Sequence, residues 1–222
     1  MISSSGETGG GPIQMSILSN KLKKYFDFYF AIPNSQDLLK LLNKANHFDI
    51  FFISERTIKI NELIELSKYV KKNSIDLIHS HGKGAAVIGR FISLILRKPH
   101  IYTYHGIHTL CYGKTYNFIY RIYELVFGLI DSRKIFVSQS EKKFARKIGI
   151  YFQDNYSIIP NGIESENVEK KSKNFRKNFR LKYGINNHEK CVVSVCRFVE
   201  QKNIFEIIKI ARLCDNYKFL II

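Results

Sequence analysis

Leu77-Ile78-His79 and Ile101-Tyr102-Thr103-Tyr104, with the apolar stretch Ala85 to Leu96 between them, decide the fold class. Both outer runs have strand length and are largely apolar throughout, where a strand with one wet face would alternate apolar and polar residues. Strands covered on both faces and joined through helices imply a mostly parallel sheet, because parallel neighbours need a long crossover. The same alternation continues in both directions. Phe26 to Ile32 and Ile50 to Ile53 lie upstream, and Ile135 to Ser138 and Ser157 to Ile159 lie downstream, with helical stretches between them. Leu38, Leu41, Leu42 and Ala45 recur at i, i+3, i+4 and i+7; Ile60, Leu63 and Ile64 begin a second such face, with Ser67 and Val70 one turn on. Each helix should bury that face on the sheet. The predicted class is α/β, with a doubly wound parallel sheet.

The character of the chain changes after Pro160-Asn161-Gly162. Residues 164–174 are polar, with Lys170, Lys171 and Lys173 close together, as expected of an interdomain crossing. This places a first domain over residues 1–163, a linker over 164–174 and the start of a second domain over 175–222. In the latter, Cys191 to Val195 reads as a strand, Ile204, Ile207, Ile208 and Ala211 as a helix face, and Phe219 to Ile222 as another strand. One βαβ unit of that size buries too little surface to fold alone, and a final apolar strand would be an open edge. The expectation is a second doubly wound domain cut off after its start. The first strand, ahead of Gly6-Glu7-Thr8-Gly9-Gly10-Gly11-Pro12, reads as a stub.

At 222 residues and 45% hydrophobic, the chain has ample material for a core, which excludes disorder. Lys plus Arg number 35 against 19 Asp plus Glu, a net charge of +16 that suits nucleic acid, an anionic membrane surface or phosphorylated small molecules. The basic run Lys170 to Lys182 interleaves Phe175 and Phe179 at i, i+4, a pattern that fits a docking helix as well as a nucleic-acid contact. No nucleic acid is expected. Cys111, Cys191, Cys196 and Cys214 form no CxxC pair and read as buried thiols of a reducing compartment. Ala85 to Leu96 carries Arg90 and falls short of the roughly 18 to 20 residues of a spanning helix, and the N-terminus lacks a signal-peptide layout. A cytoplasmic location is expected, with peripheral association on an anionic membrane compatible with the charge.

Several segments carry candidate chemistry. Gly9-Gly10-Gly11-Pro12 precedes a helical stretch, Ile13 to Leu22, so its backbone amides can approach a phosphate at a helix start; the rival reading is a flexible terminal segment. It is not a GxxxxGK[ST] loop. His79-Ser80-His81-Gly82 and Tyr104-His105-Gly106-Ile107-His108 fall at putative strand ends, where doubly wound sheets bind ligands. Four histidines could hold a metal, but no carboxylate or thiol stands at ligand spacing, so no metal is expected; the plainer reading is that most of them cap loops and bond to backbone. Ser138-Gln139-Ser140-Glu141 reads as a helix cap by Ser138 or Ser140, without the GxSxG elbow of a hydrolase. Arg197 and Lys202 flank a strand-to-helix loop and could clamp a diphosphate or be solvated surface. The stripe Tyr112, Tyr116, Tyr120, Tyr123 and Phe127 reads as core, with an acceptor platform as the alternative.

The glycine loop, Asp76-Leu77-Ile78-His79-Ser80-His81, Tyr104-His105-Gly106, Asp131 to Ser138, Ile159-Pro160-Asn161-Gly162-Ile163 and Val195-Cys196-Arg197 through Lys202-Asn203 together resemble glycosyltransferase family 4 in order and spacing. The resemblance covers nearly the whole chain. It implies a GT-B arrangement of two Rossmann-like domains with the active site in the cleft between them. It further implies transfer of a sugar from a nucleotide diphosphate sugar, a co-substrate, with retention of configuration and without a metal or other cofactor. By that similarity His105 is catalytic beside the transferred sugar, Gly9, Gly10, Gly11, Arg197 and Lys202 bind the donor diphosphate, and His79, His81, His108 and Asn161 line the acceptor side of the cleft. Cys196 and Asn203 stand where the family commonly has glycine, and the family's paired-glutamate motif does not follow. The resulting expectation is a hexosyltransferase of cell-envelope polysaccharide synthesis, acting on a cell-surface glycan or lipid-linked acceptor, present as a truncated chain without useful activity. A non-catalytic fragment that keeps acceptor or membrane binding is the second reading, and a basic nucleic-acid-binding protein the third.

Overall fold

The computed structural model describes residues 1–43, 45, 47–107, 113–150, 155–163, 173–196, 198–199 and 202–222, which fall into two compact units, 1–163 and 164–222. In the first, strands β1 (Ile2–Ser3), β2 (Tyr29–Pro33), β3 (Asp49–Ile53), β4 (Ile78–His81), β5 (His100–Thr103), β6 (Arg133–Phe136) and β7 (Tyr156–Ile158) form one sheet. Every pairing is parallel, in the order β3-β2-β1-β4-β5-β6-β7. The expected doubly wound α/β sheet is present. The two-residue β1 pairs with both β2 and β4, so a stub suffices to bridge the two halves.

Right-handed crossovers put α1 (Gly10–Leu22) and α2 (Gln36–Leu42) on one face. They put α3 (Ile60–Lys72), α4 (Lys83–Leu96), α5 (Lys114–Phe127) and α6 (Gln139–Lys147) on the other. Met15, Phe30, Ile32, Leu38 and Leu42 pack under the first pair. Ala31, Ile53, Leu66, Val70, Ile78 and Ile92 pack under α3 and α4. The alternation of Phe30, Ala31 and Ile32 between these two clusters is the period-2 signature of a strand buried on both sides.

Two expectations need correction here. On α3 the buried stripe is Leu63, Leu66 and Val70, while Ile60 and Ile64 are 72% and 46% exposed. Ser67, at the stripe's edge, turns its hydroxyl back to donate to the Leu63 carbonyl at 2.7 Å. Of the tyrosine stripe, only Tyr120 is buried and Tyr123 half-buried, whereas Tyr116 and Phe127 are exposed; Tyr112 lies outside the described residues. The helix contributes two turns of one narrow face to the core, and the rest of its apolar surface faces outward.

A charge network fills the space between α4, α5 and the sheet. Arg90, 1% exposed, donates from Nε and Nη2 to Asp131 at 2.9 and 2.7 Å and from Nη1 and Nη2 to Glu124 at 3.1 and 2.9 Å. The His100 ring spans Asp131 Oδ1 at 2.7 Å and Ser80 Oγ at 2.8 Å, and Tyr104 donates its hydroxyl to Glu124 at 2.9 Å. Lys134 donates to the Gly128 carbonyl at 2.5 Å and stands 3.4 Å from Asp131. This is the reason Arg90 sits in the longest apolar stretch of the chain. Gly89 makes room for it: a Cβ there would lie 2.1 Å from Ser80 Oγ and 2.5 Å from His100 Nε2. Gly89→Ala should therefore cost about 2–4 kcal/mol of stability in a denaturant titration, from overpacking plus the broken Ser80–His100 bond. An unchanged midpoint would show that the ring can shift freely.

The second unit holds α7 (Lys173–Lys182), β8 (Lys190–Ser194), α8 (Ile204–Arg212) and β9 (Tyr217–Ile221), with β8 and β9 parallel from Lys190 opposite Tyr217 to Ser194 opposite Ile221. Along α7, Phe179 rings contact Phe175 at 6.5 Å and Tyr183 at 4.8 Å between centroids. Arg180 is buried and donates to the carbonyls of Asn186 and Glu189, so one cation of the basic run serves the fold. Cys191, Cys196 and Cys214 are free and half-buried rather than fully buried, in a two-stranded unit that leaves even Val192 and Val193 of β8 exposed; Cys111 lies outside the described residues.

Candidate active site

The sheet order reverses between β1 and β4: the chain leaves β1 toward α1 on one face and β4 toward α4 on the other. A crevice opens at the carboxyl ends of two such strands, and ligands of open α/β sheets bind there. Gly9 caps α1 in extended backbone, φ −107° and ψ −173°, without a side-chain cap bond. The first-turn amides of Gly10 and Gly11 lack intrahelical acceptors, as at any helix start, and the helix dipole adds positive potential. Pro12 fits the first turn because its missing N–H costs nothing there.

The loop ahead of this helix start is tied to the ends of β2 and β3. Gly6 donates its amide to Glu55 Oε1 at 3.0 Å, Ser35 donates its hydroxyl to the Gly6 carbonyl at 2.7 Å, and Arg56 Nη2 donates to Glu7 Oε1 at 2.6 Å. Ser35, Glu55 and Arg56 escape a reading of the sequence, since nothing local to them signals a partner thirty or fifty residues away. The anchored loop is inconsistent with the flexible-segment alternative.

Facing the helix start are the histidines. His81, the last residue of β4, and His105, two residues past β5, share a hydrogen bond of 3.0 Å between His81 Nδ1 and His105 Nε2, with rings stacked at 5.3 Å. His81 Nε2 and His105 Nδ1 are buried without a hydrogen-bond partner among the described residues. A Cβ on Gly11 would stand 3.4 Å from His105 Cδ2 and 3.6 Å from His81 Cβ, so the bare backbone lets α1 approach both rings. His79 is not past a strand end as the sequence suggested. It lies within β4, which runs to His81, and bonds through Nε2 to Thr103 Oγ1 at 2.8 Å. Among the described residues the bonds of these three rings are to side chains, Thr103 for His79 and each other for His81 and His105, rather than the backbone bonds of the plainer reading. His108 lies outside the described residues. Among the described residues no group of three His, Cys, Asp or Glu side chains is placed to hold a metal ion.

Burial keeps these rings neutral. It lowers His79 to about 3, with help from the chain's amino terminus and from His100 and His105; it lowers His81 well below its ordinary value and His105 to about 4. The unfolded chain takes up protons below about pH 6.5 that the folded chain refuses, so stability should fall as pH drops from about 6.5 toward 4, by up to about 1.4 kcal/mol per pH unit for each ring. Denaturant midpoints at pH 7 and 5 check this. His79→Gln should flatten the slope, and an unaltered slope would contradict the assignment.

The other walls come from β6 and β7. Ser138 caps α6 by accepting the Glu141 amide at 3.1 Å, as its position predicted. Glu141 has a second task that the capping pattern did not reveal. Its carboxylate accepts the amides of Gly106 at 2.7 Å and Val137 at 2.9 Å, pinning the loop that carries His105. Burial raises its pKa against the pull of those two donors. Past β7, Gly162 donates to Gln14 Oε1 at 3.2 Å, and the Asn161 amide lies 3.6 Å from where a Gly10 Cβ would be. Gly10, Gly11, His81, His105 and Asn161 are thus one cluster, with Gly9 at its rim. Beneath it runs a groove of about 520 Å3, with Ile101, Ile135 and Ile159 along the sheet and Gln14, His79 and Asn161 at the polar end. In the second unit Lys202 stands exposed just before α8, the matching strand-to-helix position, and Arg197 lies outside the described residues.

A helix start and a histidine pair meet at the switch point of an open parallel sheet, as in the Rossmann-like domains of GT-B glycosyltransferases. Residues 44–167 match the sequence profile of Glycosyltransferase Family 4, more than half of the chain, and the protein belongs to that family. A curated relative, the UDP-Gal:alpha-D-GlcNAc-diphosphoundecaprenol alpha-1,3-galactosyltransferase of Escherichia coli, is 24% identical over 171 residues, 68% of this chain and 44% of that enzyme. This chain therefore spans less than half the length of that relative. Among solved structures, HepE of Anabaena in complex with UDP and glucose superposes with a TM-score of 0.73 at 18% identity, over 99% of this chain and 68% of that one. A glycosyltransferase from Rickettsia africae superposes with a TM-score of 0.71 at 13% identity, over 99% of this chain and 66% of the other. These likenesses extend the fold assignment across both units.

Proposed function

We propose that this chain carries the acceptor-side half, and the beginning of the donor-side half, of a retaining glycosyltransferase that uses a nucleotide diphosphate sugar. The single observation behind this reading is the buried Nδ1 of His105, without a hydrogen-bond partner among the described residues, on a ring that His81 holds beside the first turn of α1. A neutral imidazole in a dry site can bond a sugar hydroxyl strongly without repelling the charge that develops at the anomeric centre. The amides of Gly10 and Gly11 and the dipole of α1 suit an anion, whether the donor diphosphate or a phosphate of the acceptor. Following the family pattern, Arg197 and Lys202 neutralise the departing diphosphate.

The acceptor in this reading is a cell-surface glycan or a lipid-linked sugar, reached from the cytoplasmic side. HepE is bound to UDP-glucose in one structure, and the E. coli relative acts on a diphosphoundecaprenol-linked sugar; both motivate the choice of substrates to assay. The test incubates the protein with a panel of labelled nucleotide sugars and a membrane extract and follows acceptor-dependent release of nucleotide. Calorimetric titration with UDP separates the roles of individual residues. Arg197→Ala should weaken diphosphate binding by about 1.5–3 kcal/mol, the scale of a charged hydrogen bond, whereas His105→Ala should leave it nearly unchanged. Equal losses for the two variants would refute the division of roles.

A further inference from the structure

We propose that Glu141 is a positioning residue for His105, its carboxylate standing in for the next rung between β5 and β6 and so fixing the angle at which the ring enters the crevice. Tyr104 donates its amide to the Ile135 carbonyl at 2.9 Å, and parallel pairing that continued by two residues would set Gly106 against Val137. Instead both amides turn to the two oxygens of one side chain, Gly106 to Glu141 Oε1 at 2.7 Å and Val137 to Oε2 at 2.9 Å. Gly106 has φ +103°, a conformation that favours glycine, so the chain leaves its extended path just after His105. His105 is thus held between a backbone bond on the residue before it and a carboxylate bond on the residue after it.

A purely local role would look different. Ser138-Gln139-Ser140-Glu141 has the spacing of a capping box, whose glutamate ordinarily accepts the amide of the cap residue itself. Here it accepts amides from outside the helix, one of them 35 residues away in the chain. Hydrogen bonds to a buried carboxylate are short and strong, and at 9% exposure water offers Glu141 little competition. The ring it steadies has one bond of its own among the described residues, from Nε2 to His81 Nδ1, and that bond selects the tautomer of both rings. Burial is what lowers His105 to about 4, so Glu141 acts through backbone position and not through its charge. That this position matters for sugar transfer rests on the function proposed above; that Glu141 sets it does not.

Nuclear magnetic resonance of the whole chain, isotopically labelled at histidine, tests the proposal, because ring nitrogens report tautomer and hydrogen bonding directly. The signals lost in H81Q and H105Q assign the two rings. The unaltered chain should show one tautomer for each of them. E141A should free the loop and average the tautomers of His105 and His81; E141Q, which keeps the shape and one acceptor, should fall between and decides the matter if E141A fails to fold. S138A removes the cap of the same helix and leaves the carboxylate in place, so it should lower the melting midpoint and keep the ring signals. Ring signals unchanged in E141A and E141Q, or altered as much by S138A, would overturn the proposal. In an enzyme that joins this chain to a complete donor-side domain, E141A should lower kcat by about ten- to a hundredfold with little change in the donor KM. Altered ring signals with an unchanged kcat would count against His105 as the catalytic group and leave the hold of Glu141 standing.

Discussion

In an enzyme that joins this chain to a complete donor-side domain, replacing His105 by alanine should slow glycosyl transfer by about a hundredfold or more, the scale of one well-placed group in a preorganised site, while UDP binding changes little. The ring stands between Gly11 and His81, and its Nδ1 has no hydrogen-bond partner among the described residues. His81→Ala should give a smaller loss, because it removes the partner that fixes the ring's tautomer and angle rather than the group that meets the sugar. His105→Gln, which keeps a hydrogen-bonding amide, should recover part of the rate. Initial-rate assays with saturating donor provide the comparison. A His105→Ala enzyme at near wild-type speed would remove the proposed mechanism, and an equal collapse of UDP affinity would move the residue to the diphosphate.

Arg90→Ala should destabilise the protein by about 3–5 kcal/mol, the cost of leaving buried carboxylates without their cation. Asp131 and Glu124 are each fully buried against the same guanidinium. Burial by itself would raise Asp131, but the Arg90 bonds, the His100 bond and the charges of Arg90 and Lys134 outweigh it and hold the carboxyl at about 2, below its ordinary 3.8. Because the folded pKa is depressed, this stabilisation is present above about pH 4 and disappears as pH falls toward 2. In Arg90→Ala that acid limb should move to higher pH. Arg90→Lys should retain charge but lose the fork that serves both acids, and fall between the two. Urea denaturation at pH 7 measures the loss, and a cost below about 1 kcal/mol would mean that the remaining groups re-pair without it.

The network and the candidate site meet on one strand. Ser80 faces α4 and is bonded to His100, while His79 and His81, its neighbours on either side, face α1. His79-Ser80-His81 has the period-2 alternation of a strand, but the sequence reading puts the segment past a strand end, whereas β4 runs on to His81. The pairing of His81 with His105 was not legible either, because it depends on which strands are adjacent. Likewise the capping role of Ser138 follows from spacing alone, whereas the hold of Glu141 on Gly106 joins residues 35 apart in the chain. The α3 face was misplaced for a related reason: Ile60, Leu63 and Ile64 have helical spacing, but spacing does not say which side the sheet takes.

By itself, the sequence determined the class of fold, since apolar runs of strand length separated by helical segments admit few arrangements other than a parallel sheet covered on both faces. It also singled out candidate residues such as Gly9, Gly10, Gly11, His79, His81 and His105, because glycines before a helix and histidines near strand ends are local features. Tertiary structure alone decided that β1 lies between β2 and β4, and so brought Gly10, Gly11, His81 and His105 to one crevice. It decided too that Arg90 is an interior cation and that the apolar residues of α5 look outward. Both outcomes depend on what the neighbouring elements supply: two carboxylates from distant segments in one case, and no covering layer among the described residues in the other. Periodicity reports that a residue has a face, and only packing assigns that face to the core, to a partner or to water.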